Sequence, residues 1–492
     1  MARRASLNEP CSLVLPAPLA ECLLAHLFPG DDDEHGAVLT AGVARGPRGI
    51  RLLGRELFLA RDGKEYVQGE RGYRMLTGAF VTEKILHCRD EGLCYLAIHN
   101  HGGADAVGFS SADLASHERG YPALLKIARG QPVGALVFAH NAAAGDVWFS
   151  TSHRLPVSET RIIGPAIRRL YPAPTPRPRG CDATYDRQAR LFGDAGQDLL
   201  AGTKVGIIGA GGAGSLLVEY LARLGVGHLV VADPDRIKLV NLPRNVGATR
   251  WDARSWLTGD GRPPWLRRLG ERVAATKVAV ARRVARRANP RITIETILGD
   301  ITRPDVAAYF TDCDYLFLAA DTNLARLVFN AIVHQYLIPG FQVGAKVPVD
   351  KATGVVNDVF TVCRPVLPSS GCLLCNGLIS AEGLQREAAT PEERMAQRYV
   401  DEVEVVAPSV ITLNATAASQ AANDFLFALT GLTRPDVPLD YLYFSPRRRA
   451  VRFDRPRKDP TCGDCGVMSD SRYARGDAVA LPTRERSASA WR

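Results

Sequence analysis

The chain has 492 residues, of which 46% are hydrophobic and 23% are charged, and its formal net charge is +9. A domain usually takes about 100–200 residues, so this length predicts two to four globular domains. Because no run of about 18 apolar residues occurs and no apolar segment follows the first arginines, we expect no membrane span, no signal peptide and a cytoplasmic location. The basic residues are not interleaved with aromatic ones, so no nucleic-acid partner is expected.

The first predicted domain covers residues 1–152 and mixes strands with two helices. Its apolar patterns predict helices at 14–28 and 111–130, and strands at 37–43, 56–60, 95–99, 134–140 and 146–150. This loose alternation favours an α+β or three-layer α/β domain. Residues 153–182 follow and contain the proline-rich run PAPTPRPRG, which predicts an extended linker.

The second predicted domain covers residues 183–467 and alternates apolar strands with helices. Helices are predicted at 185–202 and 215–225, and strands at 204–210, 228–235, 292–300 and 315–321. Nearly continuous apolar strands between helices indicate a parallel sheet that is covered on both faces. We expect an insertion loop at 249–273 and a disordered tail at 468–492.

A first candidate site lies where an apolar strand ends in two histidines. His99 and His101 are two residues apart, so on a strand they point to the same face. Asp113 begins a predicted helix and can bring a third ligand, which leaves a fourth position open as in catalytic zinc sites. An incidental pair of histidines is the alternative interpretation.

The order of a remote glutamate, H-x-H and S-x-x-D resembles the JAMM/MPN metalloprotease signature, over about residues 12–150. The resemblance implies that Glu34 is the general base and that Ser110 donates a hydrogen bond to the oxyanion. It also implies that one catalytic zinc ion is bound by His99, His101 and Asp113.

The sequence departs from that signature in the loop after the strand. Asn100 stands where the family has Ser or Thr, Gly102 stands where it has Pro, and one extra residue precedes Ser110. A glycine-rich loop can absorb the extra residue. A domain that only binds its substrate is therefore an alternative to an active peptidase.

A second candidate site is a glycine-rich turn between a predicted strand and a predicted helix. Glycines let the backbone approach a phosphate group, and a helix N-terminus favours negative charge. The turn alone would suit an NAD enzyme equally well. However, the next strand is followed by Asp233, Asn241 and Arg244, and a dehydrogenase does not need that Asn and Arg. The glycines of the turn are Gly209, Gly211, Gly212 and Gly214.

These motifs resemble the adenylating family of ubiquitin-activating enzymes, ThiF and molybdopterin-synthase adenylyltransferase, over about residues 183–467. The resemblance implies that ATP reacts with a carboxylate to give an acyl-adenylate with Mg²⁺, and that the chain forms a homodimer. It implies that Asp233 binds the ribose and that the triphosphate is contacted by Asn241, Arg244 and Lys277. It also implies that Arg187 contacts the phosphates of ATP bound in the other subunit of the dimer. Asp321 would lie near the Mg²⁺, and Asn323 and Arg326 complete that motif.

The cysteines indicate a metal site rather than a disulfide framework. Four of the eleven form two C-x-x-C pairs, and four thiolates in two such pairs predict a closed structural zinc site with four cysteine ligands. The pairs are Cys372 with Cys375 and Cys462 with Cys465. A reactive cysteine that many relatives carry before an Ala-Pro pair is replaced by Val400, so we expect no covalent thioester at that place. Cys363 is interpreted as a core residue.

The fold class expected for the chain is α/β, with a JAMM-type α+β domain followed by a Rossmann-like adenylation domain. The first domain would trim or release a ubiquitin-like protein, and the second would adenylate its C-terminal glycine tail. An E2-like protein or a sulfur donor is a further expected partner. The alternative is adenylation of a small peptide or metabolite carboxylate in natural-product or cofactor biosynthesis.

Overall fold

In a computed structural model, the chain forms two compact units. The first comprises residues 1–177, 334–337 and 459–480, and the second comprises 178–333, 338–458 and 481–492. Within the described residues, no helix combines the length and apolar character needed to cross a bilayer. The structure describes residues 9–67, 74–176, 180, 182–348, 356–388, 408–434, 436–468 and 470–484.

The first unit is built on an eight-stranded sheet. Its strands are β1 (Cys11–Pro16), β2 (Gly36–Gly46), β3 (Gly49–Leu59), β4 (Cys94–Asn100), β5 (Val133–Phe138), β6 (Ala143–Ser150), β7 (His153–Ile163) and β8 (Ile167–Leu170). Their order is β1-β3-β2-β4-β5-β6-β7-β8, and β1 also pairs with β7, which gives the sheet a barrel-like form. The helices are α1 (Ala17–Leu27), α2 (Gly78–Glu91) and α3 (Ser111–Ala128).

Two apolar clusters form the core of this unit. Leu39 and Leu96 belong to one cluster, and their chain neighbours Val38 and Tyr95 belong to the other. Because successive residues of a strand point to opposite faces, the two clusters lie on the two sides of the sheet. The sheet is thus covered on both faces, as the mixture of helices and strands requires.

The first unit extends beyond the predicted boundary at residue 152. Residues 153–163 and 167–170, which the sequence placed in the linker, form β7 and β8. In β7 the buried Leu155 and Val157 alternate with exposed neighbours, which is a strand pattern that the nearby prolines obscured.

The C-terminal segment also differs from the expected disordered tail at 468–492. Arg55, buried in β3, donates hydrogen bonds to the backbone carbonyls of Met468 and Tyr473. Gly476 forms a parallel bridge with Val43 of β2. Residues 470–480 are therefore part of the first unit, while residues 485–492 lie outside the described residues.

The second unit contains a second eight-stranded sheet. The strands are β9 (Lys204–Ile208), β10 (His228–Ala232), β11 (Thr293–Ile297), β12 (Tyr315–Leu318), β13 (Gly340–Lys346), β14 (Phe360–Val366), β15 (Tyr441–Ser445) and β16 (Ala450–Asp454). Their order is β11-β10-β9-β12-β13-β14-β15-β16, in which β9 to β13 are parallel. The helices are α4 (Asp186–Gly202), α5 (Gly212–Leu224), α6 (Ser255–Thr258), α7 (Pro264–Val273), α8 (Lys277–Ala288), α9 (Pro304–Ala307), α10 (Asn323–Gln335), α11 (Ala381–Ala388) and α12 (Ile411–Thr430).

This strand order sets the position of a ligand crevice. The chain runs from β9 outward to β10 and β11, then returns to the other side of β9 at β12. In such sheets, ligands bind at the carboxyl ends of the strands where the order reverses. The segments after β9, β10 and β12 meet at that edge and carry the predicted nucleotide residues. Residues 249–273, expected as a loop, contain α6 and α7.

Candidate metal and nucleotide sites

The first unit brings the three predicted metal ligands together. The Nε2 atoms of His99 and His101 are 3.1 Å apart, and both face the Oδ2 atom of Asp113, at 3.7 and 3.5 Å. The three ligand atoms lie within 4.8 Å of one another. Two imidazole nitrogens and a carboxylate are a donor set that zinc accepts. Two nitrogen lone pairs at 3.1 Å repel each other unless a cation or proton lies between them, so the cluster fits a metal ion.

Backbone register explains why these side chains converge. Gly36, at the start of β2, is paired with His99 at the end of β4. The chain just before β2 is thereby held beside the histidines, and the Oε1 atom of Glu34 lies 3.7 Å from Nε2 of His101. Burial raises the pKa of the Glu34 carboxyl above its ordinary value, although the two histidines oppose this shift. A carboxyl with a raised pKa is suited to accept a proton.

The neighbouring carboxylates and Asn100 have other partners. Asp31 Oδ1 lies 2.8 Å from Nε2 of His35, the residue just before β2. The Asn100 side chain is buried, and its Oδ1 accepts a hydrogen bond of 2.6 Å from the backbone of His35. Asn100 therefore fastens the acidic turn to the end of β4. The sequence analysis missed this role, because no local pattern indicates a partner 65 residues away.

Ser110 and Asp113 form the N-terminal cap of α3. The Ser110 hydroxyl donates to Asp113 Oδ2 at 2.7 Å, the backbone N–H of Ser110 donates to the same oxygen at 2.8 Å, and Ser110 Oγ accepts from the backbone of Asp113. Burial raises the pKa of Asp113, but the interactions with His99 and Ser110 outweigh it and hold the pKa well below its usual range. The cap thus fixes an ionised carboxylate beside the histidines.

In the second unit, the glycine turn joins β9 to α5. Gly209 adopts a φ of +95°, which a residue with a side chain rarely takes, and a Cβ there would lie 3.0 Å from the backbone of Ala319. A Cβ on Gly212 would lie 2.3 Å from Nδ2 of Asn414 on α12, whereas one on Gly211 would meet nothing within 4 Å. The turn is therefore packed on both sides and open at Gly211.

The close approach at Gly214 gives a prediction about stability. A Cβ on Gly214 would lie 1.8 Å from the carbonyl oxygen of Gly209, so Gly214→Ala must push the turn open. We expect it to destabilise the second unit by about 3 kcal/mol, the upper end of the usual cost of overpacking. Gly211→Ala is the matched control and should leave the melting temperature nearly unchanged. Equal melting curves for the two variants in differential scanning calorimetry would contradict the packing described.

Asp233 and Lys277 are brought together beside the glycine turn. Asp233 follows β10 and accepts hydrogen bonds of 2.8 Å from the backbone N–H groups of Ala210 and Asp235. Lys277, the first residue of α8, places its Nζ 3.5 Å from Asp233 Oδ1 and 2.7 Å from Asp235 Oδ2. Burial raises the pKa of Asp233, and Lys277 opposes that shift. An anchored carboxylate and an ammonium group can hold a ribose and a phosphate.

The two predicted phosphate-contacting residues in the loop after β10 have different surroundings. Arg244 donates to the carbonyl of Val240 at 2.9 Å, and its Cδ lies 3.5 Å from the Cβ position of Gly212, so it borders the glycine turn. Asn241 Oδ1 instead accepts from the backbone of Lys238 and closes a short 3-10 turn.

Asn245, which the sequence analysis missed, holds this loop on the glycine turn. Its Nδ2 donates to the carbonyl of Ala210 at 2.7 Å, and the residue is buried. The Asn–Leu–Pro–Arg–Asn run contained this residue, but its spacing resembled the phosphate-contacting residues and so concealed the packing role.

The segment after β12 lies against the glycine turn, since the Cβ position of Gly209 is within 3.2 Å of Ala319 and Ala320. Asp321 follows and is exposed.

Asn323 donates from Nδ2 to Glu387 at 3.2 Å, and Glu387 also accepts from the first N–H groups of α10. Burial lowers the pKa of Arg326, whose Nη1 donates to the carbonyl of Leu378 at 3.1 Å. Glu387 is a third residue, after Asn100 and Asn245, that sequence reasoning missed.

The remaining predicted residues have separate positions. Arg187 is exposed on α4, and its predicted contact would require a second subunit. Val400 lies outside the described residues. Cys363 is buried in β14, in agreement with its interpretation as a core residue. Of the predicted zinc ligands, Cys372 and Cys375 belong to the second unit, where their sulfur atoms lie 3.5 Å apart, and Cys462 and Cys465 belong to the first unit.

The second unit can be compared with known proteins. Residues 185–466 match the model of the ThiF family, which is more than half of the chain. The sulfur carrier protein ThiS adenylyltransferase of Bacillus subtilis is 27% identical over 286 residues, which cover 58% of this chain and 71% of that protein.

Two further relatives match shorter stretches. The molybdopterin-synthase adenylyltransferase of Escherichia coli is 31% identical over 30% of this chain and 52% of that protein. The SAMP-activating enzyme E1 of Haloferax volcanii is 29% identical over 32% of this chain and 53% of that protein. The matched part of the chain thus spans about half the length of these two relatives.

Proposed function

Because the chain belongs to the ThiF family, we propose that its second unit uses ATP to adenylate the C-terminal carboxylate of a ubiquitin-like or sulfur-carrier protein. The observation that carries this proposal is the crevice at the carboxyl ends of β9, β10 and β12. There the glycine turn, the Asp233–Lys277 pair and the segment that ends in Asp321 lie side by side. One relative is named as the adenylyltransferase of a sulfur carrier protein and another as that of molybdopterin synthase, and both names support a protein substrate.

The chemistry follows from the groups at the crevice. A carboxylate oxygen of the substrate attacks the α-phosphorus of ATP, the bond to the β-phosphate oxygen breaks, and pyrophosphate leaves with its electron pair. Negative charge increases on the phosphates, so Lys277 and Arg244 stabilise the transition state. Asp233 binds the ribose through its hydroxyl groups. Asp321 would hold Mg²⁺ near the reacting carboxylate, where the ion would neutralise phosphate charge.

The choice of substrate is tested by ATP–pyrophosphate exchange. The purified chain is mixed with ATP and labelled pyrophosphate, and B. subtilis ThiS, a short peptide ending in Gly-Gly, and free amino acids are compared as substrates. We expect exchange with the protein substrate at micromolar concentration and little with the small molecules. Exchange with the small peptide alone would instead favour the biosynthetic alternative. The proposed assembly is a homodimer of the second unit, with Arg187 reaching the neighbouring nucleotide.

For the first unit we propose zinc-dependent cleavage of a peptide or isopeptide bond that follows a ubiquitin-like tail. The supporting observation is the convergence of His99, His101 and Asp113, with Glu34 at 3.7 Å from one of the histidines. Zinc held by these ligands would polarise the scissile carbonyl and activate a water molecule. Glu34 accepts the proton of the attacking water and returns it to the leaving amine. The Ser110 hydroxyl, which donates to Asp113 in the absence of substrate, would turn to donate its hydrogen bond to the oxyanion.

A further inference from the structure

A cavity of about 560 Å³ opens in the first unit beside the start of α3. Such a volume lies within the range of roughly 300–1,000 Å³ that is typical of small-ligand sites. Its wall includes Phe109, Leu114 and Glu118 from the α3 side, and Trp148 and Arg154 from β6 and β7. The cavity lies entirely within residues 109–156, so all of its lining belongs to one unit.

The cavity lies close to the candidate metal site, although none of the candidate ligands lines it. Leu114 directly follows the ligand Asp113, and the ring of Phe109 lies 6.1 Å from the ring of His99. From Asp113 to Glu118 an α-helix rises about 7.5 Å, at about 1.5 Å per residue. An extended peptide advances about 3.4 Å per residue. The length of this wall therefore corresponds to about two residues of a substrate peptide that extends from the metal.

The charged groups in the lining are paired with one another. Asp146 is buried and accepts hydrogen bonds from Trp148 Nε1 at 3.1 Å and from Arg154 Nε at 2.6 Å. Its other contact is His117 Nδ1 at 3.1 Å. Arg154 also donates to Glu118 at 2.6 Å and lies over the Trp148 ring. The guanidinium therefore already has two carboxylate partners, so this cation is not available to an acidic ligand.

What the cavity does offer is apolar surface. Leu114 is 38% exposed although it is an aliphatic residue, and it borders the cavity together with Phe109, Trp148, Leu155 and Pro156. Burying an aliphatic side chain against such a wall is favourable because it removes apolar surface from water. The pairing of Asp146 with Arg154 and Trp148 keeps this wall in place.

We infer that this cavity is a substrate subsite that takes an aliphatic side chain of the peptide, within about two residues of the bond to be cleaved. The inference rests on the peptidase activity proposed for the first unit, and it adds the specificity of that activity. The occupant is a leucine-like side chain, because the wall is apolar and its arginine is already paired. An acidic side chain would meet a guanidinium that already has two carboxylate partners.

The test uses the full chain with zinc and short internally quenched peptides that contain a central Gly-Gly pair. Leu or Ser is placed in turn at each position near that pair, and kcat/KM is measured. We expect wild-type protein to prefer Leu at one position by about tenfold, the discrimination usual for a small apolar pocket. Leu114→Gln should remove most of this preference. Ile127→Gln is the matched control, because Ile127 lies on the same helix, is 36% exposed and is remote from the cavity lining.

A second variant avoids dependence on Leu114. Thr151→Trp, in the exposed turn between β6 and β7, should fill the cavity and also reduce the preference for Leu. Wild-type cleavage with equal kcat/KM for Leu and Ser at every position would overturn the subsite and leave the peptidase intact. An equal change in Leu114→Gln and Ile127→Gln would overturn it as well.

If no peptide is cleaved, the proposed peptidase activity is wrong. A binding measurement then tests the subsite independently of cleavage. The Glu34→Gln protein is titrated with the same peptides carrying a fluorescent label, and anisotropy is measured with and without Leu114→Gln. Tighter binding of the Leu peptide that is lost with Leu114→Gln supports the subsite. Equal binding of the Leu and Ser peptides overturns it.

Discussion

Asp321→Ala is expected to lower ATP–pyrophosphate exchange by about 10²–10³-fold, the usual cost of removing a group that stabilises charge in a transition state. Asp321 follows the segment that contacts the glycine turn, which is where the proposed function puts the phosphates of a bound nucleotide. Because the side chain is exposed, its removal leaves no buried partner without a hydrogen bond. The loss should therefore appear in exchange, while the melting temperature and peptide cleavage stay at their wild-type values.

The control for this variant is Asp260→Ala, which removes an exposed carboxylate from the loop before α7. It should leave exchange unchanged. Exchange that survives in Asp321→Ala would contradict the assignment of this carboxylate to the Mg²⁺ region. A parallel loss of cleavage would contradict separate sites in the two units.

Glu34→Gln is expected to lower peptide cleavage by about 10²–10⁴-fold, the range associated with general acid–base catalysis. Glutamine keeps the shape of the side chain and the space beside His101, but it cannot accept the proton of the attacking water. Zinc content measured by mass spectrometry should be unchanged, since the proposed ligands are His99, His101 and Asp113. ATP–pyrophosphate exchange should also remain at the wild-type rate.

Asp32→Asn is the matched control, because Asp32 belongs to the same acidic run but is exposed to solvent. It should retain full cleavage. If Asp32→Asn and Glu34→Gln lose cleavage equally, the acidic run acts only through its overall charge. If Glu34→Gln retains cleavage, another group is the base.

The parts of the molecule that the sequence predicted well depend on local patterns. The apolar runs at 204–210, 228–235 and 315–321 gave strands β9, β10 and β12, and the Gly-rich run gave the turn before α5. The helix predicted at 111–130 is α3, and the S-x-x-D run forms its capping box, a role that was not predicted for it. Where spacing alone fixes the geometry, the sequence was sufficient.

What the sequence did not predict depends on partners that are distant along the chain. Residues 153–170 were placed in a linker, although pairing with β1 and β6 makes them strands. Residues 470–480 were placed in a tail, although Arg55 holds them by their backbone carbonyls. Asn100 and Asn245 were not identified as supports of the two sites. Each of these interactions joins segments that no local periodicity relates.

The central claim is that one chain carries two activities directed at the same polypeptide tail. It is tested most directly with B. subtilis ThiS lengthened at its C terminus by about five residues, by following pyrophosphate exchange together with the mass of the carrier. The account predicts that wild-type protein removes the extension and then supports exchange. It also predicts that Glu34→Gln does neither, and that carrier without the extension restores exchange in Glu34→Gln. Exchange by Glu34→Gln with the lengthened carrier, or an extension left intact by zinc-loaded wild-type protein, would contradict the claim.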